Sequence, residues 1–178
     1  MITQIRCQLV GTVESILLFL LVVMLCACGR GMRCVGDVTE VRYHVWTGHV
    51  VPSWSEDYVI SGTTICLTRT GEPGSEVNAG TWEFGVDPQR VAQLFAQLQA
   101  VDWVSIRAIP PPDGPAPDGG GSVSYKIQCA HDTGGSLWYR EGWTYAGGEA
   151  VTQPIQAFVA GLALPADAGR FVLPADAD

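Results

Sequence analysis

The sequence predicts an α+β fold, an antiparallel sheet with two helices packed on one face, and three observations predict it. Apolar and polar residues alternate in several short stretches. The cleanest sets Val123, Tyr125, Ile127 and Cys129 against Ser122, Ser124, Lys126 and Gln128, the mark of a strand with one face buried. Two other stretches, Val91 to Val101 and Ile155 to Leu162, space their apolar residues as a helix does. The order ββ-α-β-ββ-α groups strands with strands, which favours an antiparallel sheet over parallel βαβ units.

Val41, Tyr43 and Val45 share one side of a first strand ending at Trp46. Tyr58 to Thr70, rich in β-branched residues, reads as one long strand bent at Gly62. Gly71 to Ser75 is a loop by composition, and Trp82, Phe84 and Val86 alternate in the strand after it. Asp87 is a good N-cap, and Pro88 suits the first helical position, where its missing N–H costs nothing. Trp103 to Ile109 adds a short strand, closed by Pro110, Pro111 and Pro112. Pro110 to Gly121 is too rich in proline and glycine for a core element and is expected to be a mobile loop within one domain. Leu137 to Tyr145 returns as the partner of the Ser122–Cys129 strand. The second helix is expected to start at Thr152 or Gln153 with Pro154, burying Ile155, Phe158, Val159 and Leu162. Leu164-Pro-Ala-Asp-Ala168 recurs as Leu173-Pro-Ala-Asp-Ala177, too few copies for a repeat architecture, so 164–178 is expected to be a low-complexity tail.

Near the N-terminus, Ile16 to Leu25 is an uncharged apolar run that ends in Cys26-Ala27-Cys28-Gly29. A spanning helix needs about 20 mostly apolar residues, and the stretch between Glu14 and Arg30 is too short for one. An ordinary secretory signal shares the short apolar run and small-residue end, but Leu25-Cys26-Ala27-Cys28 resembles the lipobox of bacterial lipoproteins. That resemblance implies cleavage before Cys28, a diacylglyceryl thioether on its sulfur and acylation of the new N-terminus. The expected division is a signal peptide over 1–27, a lipidated tether over 28–38 and a single domain over 39–163. Two or three acyl chains would hold the protein permanently, since a single chain binds only marginally. Gly29, in place of the aspartate that marks inner-membrane retention, implies the outer membrane in a Gram-negative host.

Removing residues 1–27 from the 178 of the chain leaves 151, enough for one real core. The formal net charge of −8 repels phosphate backbones and argues against nucleic acid as a partner. Of the six cysteines, Cys7 and Cys26 leave with the signal and Cys28 takes the lipid. Export favours a disulfide among the other three. Cys66 and Cys129 lie in strand-like segments and Cys34 in the tether, so the expected pair is Cys66–Cys129.

No catalytic constellation is legible, and neither a cofactor nor a metal is expected. The sequence holds no Gly-x-Ser-x-Gly elbow, and Gly119-Gly-Gly-Ser122 lacks the lysine of a phosphate loop. His44, His49 and His131, with Asp132 beside the last, are the material for a metal-dependent hydrolase, without the spacing of a known zinc motif. Aromatic residues say more. Tyr139, Trp143 and Tyr145 share parity and are expected to be core, which turns Trp138 and Arg140 outward as a contact for an envelope protein or glycan, with Trp46 and Trp54 extending the patch. Two strands, a Leu94-x3-Leu98 helix, the Asp102-Trp103 exit, a hairpin and a last helix, over about Tyr58 to Leu164, are similar in order to small bacterial domains that include emfourin-type metalloprotease inhibitors. That similarity implies a protease-inhibitor-like alternative. The leading expectation is a lipid-anchored envelope protein with a non-catalytic binding module. Metabolic labelling with a clickable palmitate should mark the wild type and not Cys28→Ser; equal labelling of both would remove the anchor.

Overall fold

The structure, a computed structural model, describes residues 34, 36–48, 52–112, 120–131, 134–140 and 142–169. The signal peptide, Cys28, His49, Asp132, most of the Pro110–Gly121 loop and the second Leu-Pro-Ala-Asp-Ala copy lie outside them. All described residues belong to the unit Met32–Asp178. The expected class is the one found: an antiparallel sheet with two helices. The strands are β1 (Val38–Trp46), β2 (Trp54–Ser61), β3 (Thr64–Gly71), β4 (Gly80–Gly85), β5 (Arg107–Ile109), β6 (Ser122–Cys129), β7 (Ser136–Arg140) and β8 (Thr144–Ala146). Helix α1 (Pro88–Gln99) follows β4 and helix α2 (Glu149–Ala160) follows β8. Six strands form one sheet in the order β4-β3-β2-β1-β6-β7, and β5 pairs with β8 in a separate ribbon.

Cross-strand register lines up the inner face in rows. Val41 lies opposite Ile60 and Ile127, and Ile60 opposite Ile65; all four are fully buried. Helix α1 lays Val91, Leu94 and Leu98 on this core, and α2 adds Val151, Ile155 and Phe158. The side chain of Asp87 accepts from the Gln89 N–H at 2.9 Å and Pro88 opens the helix, as its sequence implied. Arg90 ties the helices together: its Nη1 donates to the Gly161 carbonyl at 3.1 Å and its guanidinium covers the Phe158 ring. A cation there complements the negative C-terminal end of α2.

Five expectations change. Tyr58–Thr70 is not one bent strand but a hairpin, with Ser61 opposite Thr64 and Gly62 at φ +54 in a two-residue turn; glycine supplies the positive φ such turns need. Helix α2 begins at Glu149, so Pro154 sits in its second turn. Burying Val151 one turn before Ile155 continues the apolar stripe and outweighs the hydrogen bond that Pro154 cannot donate. Trp103 is buried in a turn before β5, with its six-membered ring where a Cβ on Gly135 would stand. Leu137–Tyr145 splits at Gly142, φ +81, into β7 and β8. The boundary at 163 also moves: Leu164 packs on the core, Ala168 is buried, and Asn78 Nδ2 donates to the Asp167 carbonyl at 3.2 Å.

The disulfide joins Cys34 to Cys129, with Cα atoms 5.6 Å apart, and Cys66 is free. Cys66 alternates with buried Ile65 and Leu67 and so faces the outer side, whereas Cys129 is buried among the core residues. Strands β2 and β1 also separate β3 from β6, roughly 14 Å at ~4.8 Å per strand, beyond the reach of a disulfide. Gln99 holds the segment after Cys34 from the other side: its Nε2 donates to the Gly36 carbonyl at 2.7 Å and its Oε1 accepts from the Val38 N–H at 3.0 Å. Cys34, Gly36 and Val38 are thus fastened to the domain rather than part of a loose tether. Cys34→Ser should cost about 2–4 kcal/mol in urea unfolding, while Cys66→Ser should stay within about 0.5 kcal/mol. In denaturant without reductant, maleimide should modify Cys66 and spare Cys34 and Cys129; the converse pattern would overturn the linkage.

Candidate functional site

The two faces of the sheet carry two different sites. On the outer face, Trp138 of β7 is 49% exposed, with the Arg140 guanidinium carbon 3.9 Å from its ring centroid. A cation over an indole face is attracted by the ring quadrupole, so the contact holds both long side chains in one arrangement. Trp138 continues a row through Ser124 of β6, His44 of β1 and Asp57 of β2. The next row holds Arg140, Ser122 and Trp46, so Trp46 extends the patch. Trp54 does not: it is buried on the inner side.

Strand β7 is an edge of the sheet, and its outward backbone is closed at this point. Tyr145 Oη accepts from the Trp138 N–H at 3.2 Å and donates to the Trp138 carbonyl at 3.4 Å, and the Arg140 carbonyl accepts from the Trp143 N–H at 2.7 Å. A strand from another chain would find these groups taken, which is one way proteins blunt an edge. Tyr139 and Tyr145 do pack against the core. Trp143 is half-buried like these two tyrosines but is not among the residues packed on the core.

On the inner face, the row containing Tyr58, Tyr43 and Tyr125 continues to Tyr139 and Tyr145 as a ladder of rings, with centroids 5.9, 5.2, 5.9 and 5.1 Å apart. These are all five tyrosines of the chain. Along the ladder run two adjoining hollows of about 330 and 390 Å³ on either side of Gln156 of α2, which lines both. Gln156 Nε2 donates to Tyr125 Oη at 2.7 Å. The first hollow is lined by Tyr43, Tyr58, Trp54 and Leu164, and the second by Tyr125, Tyr139, Tyr145 and Glu149.

A buried ion pair forms one wall of the first hollow. Arg69, 2% exposed, donates from Nε to Glu56 Oε1 at 2.7 Å and from Nη1 to the Ala168 carbonyl at 2.6 Å. Its Nη2 lies 2.5 Å from the same Glu56 oxygen and completes the ion pair. Glu56 Oε2 accepts from the Tyr58 hydroxyl at 3.2 Å, and the ring of Trp82 lies under the Arg69 guanidinium. Burial, with the Glu56 carboxylate second, pushes the Tyr58 phenol well above its ordinary range. Burial likewise raises Tyr43, Tyr125 and Tyr139. The phenols stay neutral and can both donate and accept.

The sequence missed this trough. Its one signal was that Glu56 and Arg69 take inward positions in alternating strands, visible only once Gly62 is recognised as a hairpin turn. The two described histidines do not converge: His44 lies mid-strand on the outer face, and His131 follows the far end of β6 beside Gly36, roughly 20 Å away at ~3.3 Å per strand residue. Among the described residues, no three His, Cys, Asp or Glu side chains cluster as metal ligands. No known protein family, curated protein or solved structure matches the chain.

Removing one partner of a buried pair leaves the other charge uncompensated, whereas replacing both by apolar residues is often neutral. Arg69→Met alone should therefore cost about 3–5 kcal/mol in chemical unfolding, and adding Glu56→Leu should recover most of it. Equal stabilities of the single and double variants would show that the pair is solvated.

Proposed function

We propose that this chain is a lipid-anchored bacterial envelope protein whose domain acts as a non-catalytic module, binding another envelope protein through Trp138 and Arg140. The anchor rests on Leu25-Cys26-Ala27-Cys28, and the address at the outer membrane on Gly29 in a Gram-negative host. The observation that carries the binding reading is the half-exposed Trp138 with Arg140 stacked on its ring.

Trp and Arg are the residue types that dominate interface energy, and side chains held in place before binding lose less entropy on contact. With the edge groups of Trp138 occupied by Tyr145, a partner meets side chains rather than adding a strand. That favours a protein with a pocket for the indole and a carboxylate for the guanidinium.

The full lipidated chain, solubilised from envelopes in mild detergent, should co-purify a defined partner protein. Trp138→Ala combined with Arg140→Ala should weaken that complex more than tenfold, roughly 1.4 kcal/mol. Equal recovery of the same partner by wild type and double variant would leave the patch without a binding role.

A further inference from the structure

We propose that the tyrosine-floored trough on the inner face of the sheet binds a neutral saccharide. The site is independent of the Trp138–Arg140 patch, which lies on the opposite face.

Size is the first argument. Hollows of about 330 and 390 Å³ that share Gln156 are each at the lower end of small-molecule sites, roughly 300–1,000 Å³. Together they form an elongated site suited to a ligand of two or more linked units.

Charge is the second. In the first hollow Glu56 and Arg69 neutralise one another, and the second contains only Glu149 as a charged residue. An anion would meet no free cation. A cation would find Glu56 already paired, with Glu149 alone at the far end. The complement of such a site is uncharged.

The lining chemistry narrows this further. Phenol rings, Val45, Val159 and Leu164 supply apolar surface, while tyrosine hydroxyls, the Gln156 amide and the Arg69–Glu56 pair supply donors and acceptors a few ångströms apart. Burial keeps the phenols protonated; the Tyr58 hydroxyl, which donates to Glu56, remains an acceptor, and the Tyr125 hydroxyl, which accepts from Gln156, remains a donor. Gln156 spends its Nε2 on Tyr125 and keeps its Oε1 as an acceptor. A sugar ring matches this combination: its C–H faces are apolar, and its hydroxyls donate and accept around the rim. A fatty acyl chain would strand the polar groups.

The test uses the full chain in detergent micelles, followed by amide NMR during titration with tri-N-acetylchitotriose and, separately, maltotriose. At least one should give saturable shifts at Val45, Glu56, Tyr139 and Gln156. Tyr43→Phe together with Gln156→Ala, which removes one hydroxyl and one exposed helix side chain, should weaken binding at least tenfold. Trp138→Ala with Arg140→Ala should leave it unchanged. Absence of saturable shifts from both sugars up to ~10 mM, tenfold above a millimolar Kd, would overturn the proposal. So would sugar binding that survives the trough variant, or a micelle detergent chain shown by intermolecular contacts to fill the trough in place of sugar.

Discussion

The antiparallel register of the six-stranded sheet assigns every strand residue to one of two faces, and the rest of the molecule follows from that assignment. Val41, Ile60, Ile65 and Ile127 form one apolar row across four strands, and the helices settle on it because no other surface offers as much apolar area. The next row carries Tyr58, Tyr43 and Tyr125, and the one after it Glu56, Val45 and Val123. Moving along the strands, the inner face therefore grades from aliphatic to phenolic to a mixed row in which Glu56 stands opposite Arg69. A one-residue slip in any strand would turn its core residues to solvent, so the gradient and the core are specified together.

The ion pair of Glu56 and Arg69 stands at the polar end of that gradient. Burying two charges costs several kcal/mol of hydration per ion, and their attraction repays it only with good geometry and further hydrogen bonds. Here the Ala168 carbonyl and the Tyr58 hydroxyl supply those bonds. The consequence reaches the C-terminal segment. Ala168 is held by Arg69, and Leu164 of the same segment lines the first hollow. A segment with the composition of a loose tail becomes a wall because a buried arginine needs an acceptor.

Near the N-terminus, covalent and polar restraints converge on a few residues. The Cys34–Cys129 bridge closes a loop of 95 residues in sequence, and Gln99 grips Gly36 and Val38 from the end of α1. Strand β1, which begins at Val38, lies inside the sheet with β2 and β6 on either side.

The sequence alone determined the fold class, both helical stripes, the Asp87–Pro88 start of α1, and the outward direction of Trp138 and Arg140. These are local properties: a period of two or 3.6 residues, or a cap, carries each. Tertiary structure decided the rest. Gly62 suits a bend and a turn alike, because local sequence does not say whether the strand beyond it continues or turns back; only the pairing of Ser61 with Thr64 does. Cys66 and Cys129 both carry strand-like sequence, while the deciding facts for the disulfide are the face of the sheet and the two strands between them. The trough was invisible for the same reason. Its residues come from separate strands and from α2, and they meet only when register sets Tyr58, Tyr43 and Tyr125 side by side and the ribbon strand brings Tyr145 against Tyr139.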